Sequence, residues 1–315
     1  MRKWGFLAAL ALVSIWGLLV LVSLFGSVPG MLPAAIGYMP PAVNAFPLLA
    51  MALWVLIRFV RKKGKAWELA WGVGGCLAAG WMGAVVWGHE EPGERHVRVM
   101  THNVSNSNRS VPEILAVIQR EKPDVVLLQE IQGEGNDPAS YLQEHLPGWN
   151  MTRKGETAIL SHWPLSNVQS RPSRALFGRH LLSAEVGAPQ PFTAMTIHWM
   201  VPQWRKGQSA LKTTMDAQRM DFEDTQAFLA DLKGPVILGG DFNNPPTHEF
   251  TRSLSTELVN AFDKCGSGPG WTFPRRIAMV RIDHIYSRGD LSPIKCWVGD
   301  AAGSDHRSVF ADFSW

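Results

Sequence analysis

Hydrophobic positions divide the chain into two regimes: long apolar runs up to residue 88, and short alternating runs after it. Trp4 to Phe25 carries no charge, and its length of more than twenty residues matches the hydrocarbon thickness of a bilayer. A second run covers 42–60, with Arg58 near its end, where a long side chain snorkels to an interface. A third covers 66–88, with Glu68 at its start and Trp67, Trp71, Trp81 and Trp87 towards its ends or faces, as membrane interfaces favour. These runs predict three transmembrane helices in an anchor of residues 1–88. A signal peptide is the competing reading of the first run, given Arg2 and Lys3. No small-residue cleavage site of good form follows it, and further spans do.

After a polar linker at 89–96 the periods shorten. Val97 to Val104 alternates as a strand. Ser110 to Glu113 is a capping-box pattern with Pro112 in the first turn, and Ile114, Leu115, Val117 and Ile118 give the helix an apolar face that stops before Pro123. Residues 124–128 read as a buried strand that delivers Gln129 and Glu130 at its end. Strand, helix and strand in this order predict a layered α/β domain over 97–315. Further strands are expected at 157–161, 181–186, 192–199, 236–238, 281–286 and 308–313. A helix is expected at 216–232, after a polar loop at 200–215. No internal repeat or low-complexity tract interrupts the series.

Charge changes the picture in two ways. The chain has 315 residues and a net charge of +3, but seven of its 30 basic side chains and one of its 27 acidic ones lie before residue 89. The remainder, with 23 basic and 26 acidic residues, is slightly acidic, so the high pI is no nucleic-acid signature. The basic residues also set a direction. Arg2 and Lys3 precede the first run, Arg61, Lys62, Lys63 and Lys65 fill the loop between the second and third, and the loop at 26–44 has no charge. The positive-inside rule then leaves everything after about His89 outside the cytoplasm. Cys76 lies in the third run, while Cys265 and Cys296 either pair in an oxidising compartment or stay free.

Candidate chemistry centres on Pro235 to Pro246. Val236 to Leu238 reads as a core strand ending in Gly239 and Gly240, which leave room for a ligand to approach the backbone. Asp241 and Asn243 follow, two apart, and share a face if the strand continues. Other strand ends carry Asn103, Glu130, His198, Asp283, and Asp305 with His306. Each has a bland reading alone, as a solvated turn residue or a half-buried hydrogen-bonded histidine. Strand ends of an α/β sandwich collect on one edge, so together they form a candidate site.

At these residues the chain resembles the endonuclease/exonuclease/phosphatase superfamily. The matching blocks are Thr-His-Asn at 101–103, Pro-Asp-Val-Val-Leu-Leu-Gln-Glu at 123–130, Ile-His at 197–198, Gly-Asp-Phe-Asn at 240–243, Arg-Ile-Asp-His-Ile at 281–285 and Ser-Asp-His at 304–306. The resemblance is greatest to bacterial membrane-anchored members with a few N-terminal helices. It implies a four-layer α/β sandwich, two packed β-sheets flanked by helices, and a divalent metal, Mg²⁺ with Mn²⁺ as the substitute. It makes Glu130 the principal metal ligand with Asn103 and Asp305 near it. It matches Asp241 to the residue that orients or deprotonates the attacking water, and Asn243 to a phosphate donor. His306 matches a phosphate-facing histidine paired with Asp283, and His198 a histidine on the leaving-group side. Which histidine is acid and which base stays open.

The expected function is a membrane-anchored, metal-dependent phosphodiesterase or phosphatase at the extracytoplasmic face of a bacterial inner membrane. Its expected partners are the bilayer and a phosphoester substrate, lipid or nucleic acid; no obligate protein partner is inferred. The alternatives are an extracytoplasmic nuclease and a non-catalytic binding module on the same fold. Trp199, Met200, Trp204, Arg205 and Lys206 either touch the bilayer or form a packed loop. Substrate choice is expected in loops at 131–156, 166–180, 200–215 and 264–280.

Overall fold

Short apolar strands build two sheets, each turning one face to the other sheet and one to a layer of helices. In the first, β1 (Val97–Asn103) lies parallel to β2 (Val125–Gln129), and β3 (Asn150–Lys154), β4 (Thr157–Ser161), β11 (Ser292–Val298) and β12 (Val309–Ser314) complete the order β11-β12-β1-β2-β4-β3. In the second, β7 (Phe192–His198) lies parallel to β8 (Val236–Asp241). With β5 (Leu165–Pro172), β6 (His180–Val186), β9 (Val259–Asn260) and β10 (Asp283–Arg288) its order is β5-β6-β7-β8-β10-β9. Every other pairing is antiparallel.

Val97, Val99, Val125, Leu127 and Ile159 from the first sheet meet Leu182, Ala184, Ala194, Ile237 and Ile285 from the second in one buried core. The intervening residues point outward. Met100, Val126 and Leu128 pack under α1 (Val111–Glu121) and α2 (Pro138–His145), while Met195, Ile197, Leu238 and Tyr286 pack under α3 (Gln208–Asp231) and α4 (Glu249–Leu254). The layers therefore run helices, sheet, sheet, helices. A short α5 (Ala261–Cys265) is capped by Asn260, whose side chain accepts from the amides of Phe262 and Asp263.

This computed structural model describes residues 50, 53–58, 60–61, 90–105, 111–132, 138–176, 178–203, 206, 208–276 and 278–315. The chain divides into two units, Met1–Trp87 with Thr247–Glu249, and Gly88–Pro246 with Phe250–Trp315. The strands and the candidate site belong to the second. Of the three expected spans, 4–25 and 66–88 lie outside the described residues, and within 42–60 the stretch 53–58 is helical. Among the described residues no helix is long and apolar enough to cross a membrane.

The expected linker is tied down from residue 90 onward. Glu91 donates its amide to Ile294 (2.8 Å), His96 donates to Phe313 (2.9 Å), and the His96 ring stacks on Trp315. The helix expected at 216–232 begins at Gln208 instead. Leu211 and Thr214 are buried there, and Thr214 Oγ1 turns back to the Ala210 carbonyl, so a weakly apolar face still packs. Strands β3, β5, β9 and β11 were not expected. β5 is exposed along most of its length, β9 has two residues, and Pro293 and Lys295 shift the register of β11, so none shows a clean period of two. Cys265 and Cys296 are both free and buried.

Candidate active site

The face that buries the inter-sheet core also delivers the site. Side chains two apart share a face, so the inward row Val97, Val99, Thr101 ends in Asn103, and the row Phe192, Ala194, Thr196 ends in His198. Ile237 leads likewise to Asp241, and Asp283 opens the row that continues with Ile285. Apolar side chains give way to polar ones as each row reaches the mouth between the sheets. A buried polar layer marks the change, where Gln129 Nε2 donates to Thr101 Oγ1 (3.1 Å) on its own sheet and to Thr196 Oγ1 (2.9 Å) on the other. Asp241 sits opposite His198 in the parallel pair and opposite Asp283 in the antiparallel one.

The glycines before Asp241 serve packing rather than ligand approach. A Cβ on Gly240 would lie 2.2 Å from the Ile197 carbonyl oxygen, and one on Gly239 would lie 2.7 Å from Leu127 Cδ1. Nor do Asp241 and Asn243 align by strand alternation. β8 ends at Asp241, and Asn243 has φ +49°, which lets its amide donate back to Asp241 Oδ1 (2.8 Å) in an Asx-type turn. Glu130, with φ +54°, is also left-handed. Such positions cost about 1–3 kcal/mol each and persist where surrounding structure imposes them.

Asp241 is the hub, buried to 1% exposure. Its Oδ2 accepts from Asn103 Nδ2 (3.0 Å) and Asn243 Nδ2 (3.2 Å), with His198 Nε2 at 3.6 Å and His306 Nε2 at 3.7 Å. Asn243 gives its other amide hydrogen to the Trp199 carbonyl (3.0 Å), so in this arrangement it positions Asp241 rather than offering a donor to a phosphate. Asn103 reaches Glu130 Oε1 as well (3.1 Å), while its own oxygen accepts from the Ser105 amide (2.8 Å).

Each histidine is fixed by a carboxylate on its Nδ1. His306 Nδ1 lies 2.9 Å and 3.1 Å from the two oxygens of Asp283, the partner expected from sequence. His198 Nδ1 lies 2.8 Å from Glu156 Oε1, a residue that sequence reasoning missed. Glu156 follows Gly155 in the β3–β4 turn, and Arg179 completes the chain with Nε 3.0 Å from the same oxygen and Nη1 donating to the Trp199 carbonyl at 2.7 Å. Ser304 was also missed as a tie. Its hydroxyl donates to the Asn103 carbonyl (2.6 Å) and accepts from the His306 amide (3.1 Å), joining the Ser-Asp-His turn to the end of β1.

Burial and charge set the proton affinities. Burial pushes His306 down, but Asp283 and Asp241 beside it outweigh that and hold it at about 10. Burial raises Asp241, helped by Asp283 and opposed by His306 and His198. Burial also acts to raise Glu156, yet the bond and charge of His198 and the charge of Arg179 bring it below its ordinary value.

Asp241, Asp283 and His306 offer ligand atoms within 4.8 Å of one another. With His306 held protonated, that trio is closed as an ion-pair network, and the half-buried Glu130 is the open hard-oxygen donor. Turning the Asn103 amide over would aim its oxygen at two carboxylates, an arrangement only a cation between them favours. The donor set therefore fits a hard divalent ion. Asp305 is exposed, and its carboxylate makes no hydrogen bond among the described residues. Trp199 is buried with its indole donating to Thr225 Oγ1 (2.9 Å), so it packs and does not reach a bilayer; Trp204 and Arg205 lie outside the described residues.

The model of the Endonuclease/Exonuclease/phosphatase family matches residues 100–306. The chain belongs to that family. Its members typically use divalent metal ions and hydrolyse phosphoesters. A comparison with the curated proteins returns no match. Among solved structures the chain resembles a mannosyl-6-phosphatase of Bacteroides thetaiotaomicron, with 18% identity, a TM-score of 0.57, and coverage of 70% of this chain and 100% of that one. The 3′ phosphatase NExo of Neisseria, bound to a product DNA hairpin, gives 21% identity, a TM-score of 0.57 and coverage of 70% and 100%. TDP2 of D. rerio with a single-strand DNA product gives 15%, 0.57, and 70% and 99%. At these identities the likeness shows the shared fold.

Proposed function

We propose that the protein is a membrane-anchored, Mg²⁺-dependent phosphoester hydrolase whose site faces the extracytoplasmic side of a bacterial inner membrane. The observation that carries the chemistry is the convergence of two asparagines and two histidines on the buried carboxylate of Asp241, at 3.0–3.7 Å. Asp241, held by Asn103 and Asn243 and raised by burial, orients the attacking water and takes its proton. His306 stays charged through its bond to Asp283 and donates from Nε2 to a phosphoryl oxygen. His198, turned by Glu156 so that Nε2 faces the site, supplies a proton to the leaving oxygen. Glu130, oriented by Asn103, would hold the metal, with Asp305 at the rim. Bound there, a divalent ion would supply Lewis-acid polarisation of the phosphoryl oxygens.

The apolar runs of residues 1–88 support a substrate at the membrane face, and lipid-linked phosphate is the reading they favour. The test uses the full chain in detergent with p-nitrophenyl phosphate and bis-p-nitrophenyl phosphate. Turnover with Mg²⁺ or Mn²⁺, abolished by EDTA and by Glu130→Ala, is the expected result. Metal-dependent cleavage of single-stranded DNA faster than of any lipid phosphoester would shift the reading to a nuclease. No turnover on a broad phosphoester panel would leave a binding module.

A further inference from the structure

Beside His306 stands a short arm between Gly270 and Arg281. Phe273 and Val280 exchange backbone bonds of 3.0 Å and 3.1 Å, which closes the arm, and Thr272 Oγ1 accepts from the amides of Ile282 and Asp283 at its base. The Phe273 ring lies 4.8 Å from the His306 ring. The arm is stitched to the Ser304–Arg307 turn. Arg275 donates its amide to Asp305 (2.7 Å), Arg307 donates its amide to Thr272 (2.8 Å), and the Arg307 guanidinium reaches the Arg275 carbonyl at 3.0 Å and 3.3 Å. Arg275, Arg276 and Arg307 are thus carried on one rim of the site.

Several surface arginines are neutralised within the fold, although Arg95 and Arg252 make no ion pair among the described residues. Arg120 pairs with Glu121 and Asp300, Arg174 with Asp224 and Glu223, and Arg171 with Asp231. Arg281, at the foot of the arm, pairs with Asp263. Arg275, Arg276 and Arg307 make no ion pair among the described residues, and the sequence holds no carboxylate from Gly266 to Ile282. The hydrogen bonds of the Arg275 and Arg307 guanidiniums go to backbone carbonyls, which leaves further N–H groups of each fork without a protein acceptor among the described residues. In a domain that is acidic after Gly88, the Arg275 and Arg307 guanidiniums beside the His306 turn, with the exposed Arg276 next in sequence, outnumber the one carboxylate of that turn, Asp305, and leave room for an anion. Forked donors suit the oxygens of a phosphate.

We propose that Arg275, Arg276 and Arg307 form a second anion subsite that holds a non-scissile phosphate, so that preferred substrates carry two phosphates. The proposal rests on the hydrolase reading for its meaning, but the subsite itself is read by binding. That second phosphate is either the neighbouring phosphodiester of a nucleotide chain or a second phosphate on a lipid headgroup.

Calorimetric titration of the full chain in detergent separates the sources. One pair of ligands is thymidine 3′,5′-bisphosphate against thymidine 5′-monophosphate, and the other is inositol 1,4-bisphosphate against inositol 1-phosphate. The two-phosphate member of one pair binds at least about tenfold tighter, and that pair names the source. Arg275→Ala with Arg276→Ala brings the two members to within about twofold, whereas Arg120→Ala leaves the difference intact. Should the double variant fail to fold, Arg276→Gln alone, at an exposed side chain, reads the same loss in part. Equal affinity within both pairs, or a difference that survives these substitutions, overturns the subsite. Turnover of bis-p-nitrophenyl phosphate is measured beside it. Lost turnover with the binding difference intact counts against the hydrolase reading alone, and turnover without the difference against the subsite alone.

Discussion

Asp241 shows how much one carboxylate is asked to do. It lies between an imidazolium that lowers its proton affinity and a burial that raises it, with two side-chain amides on Oδ2 and the Asn243 backbone amide on Oδ1. Asp241→Asn keeps the volume and removes the base, so turnover is expected to fall by about 10²–10⁴; its new NH2 group meets a donor at either oxygen position, so the thermal midpoint is expected to drop while the fold persists. Retained turnover would remove Asp241 from the proton transfer. His306 makes a second prediction, about pH. Its folded value of about 10 lies above the ordinary 6.5, so the stability it contributes is fully present below about pH 6.5 and is lost as pH rises to about 10. In EDTA the thermal midpoint of the full chain is expected to fall between pH 7 and 10, and His306→Gln to flatten that fall. An equally steep decline in the variant would place the titrating group elsewhere. Asp283 was legible as the partner of His306 because both sit in recognisable blocks. Glu156 was not, because nothing beside it in sequence marks a turn glutamate as the neighbour of a histidine 42 positions away. Glu156→Gln keeps a hydrogen bond to His198 and removes the charge, so kcat is expected to fall by at least about tenfold with KM little changed. An unchanged kcat would make Glu156 a packing residue.

At the scale of elements, two parallel pairs, β1 with β2 and β7 with β8, bring four strand ends to one mouth. That convergence was legible because the buried strands carry unbroken apolar runs with polar residues at their ends. The edge strands were not, since β5 has exposed residues on both faces and β9 is too short to show a period. Nor does the sequence distinguish a glycine that admits ligand from one that admits a neighbouring strand. Gly240 is the second kind, because any Cβ there meets the Ile197 backbone and the parallel β7–β8 pair has to part. Gly240→Ala is expected to destabilise the fold by about 3 kcal/mol or more in denaturant unfolding. Gly239→Ala meets the end of the Leu127 side chain, which has freedom to turn, and is expected to cost less. Equal effects at the two positions would mean that β7 yields as readily as a side chain.

For the whole molecule, charge and hydropathy argue together. The first 88 residues carry the whole of the basic excess, and apart from Arg58 near the end of the second run their basic residues sit before the first run and between the second and third. If each run crosses the bilayer, three crossings carry the catalytic domain to the side opposite those charges. The consequence can be tested by a fusion after Trp315, beyond the half-buried end of β12 and away from the site residues. A C-terminal alkaline phosphatase fusion, which matures only outside the cytoplasm, is expected to be active, and a C-terminal green fluorescent protein fusion to be dark. The opposite pair of results would mean an even number of crossings. One of the three runs would then not cross the bilayer; cleavage of the first as a signal peptide would not give this result, because the cleaved chain starts outside the cytoplasm and two crossings return it there. Moving Lys62, Lys63 and Lys65 into the uncharged loop at 26–44 adds a directional check. If those lysines set the orientation, the two fusions are expected to exchange signals in at least part of the population. No exchange would assign the orientation to the basic residues left in place, Arg2, Lys3 and Arg61.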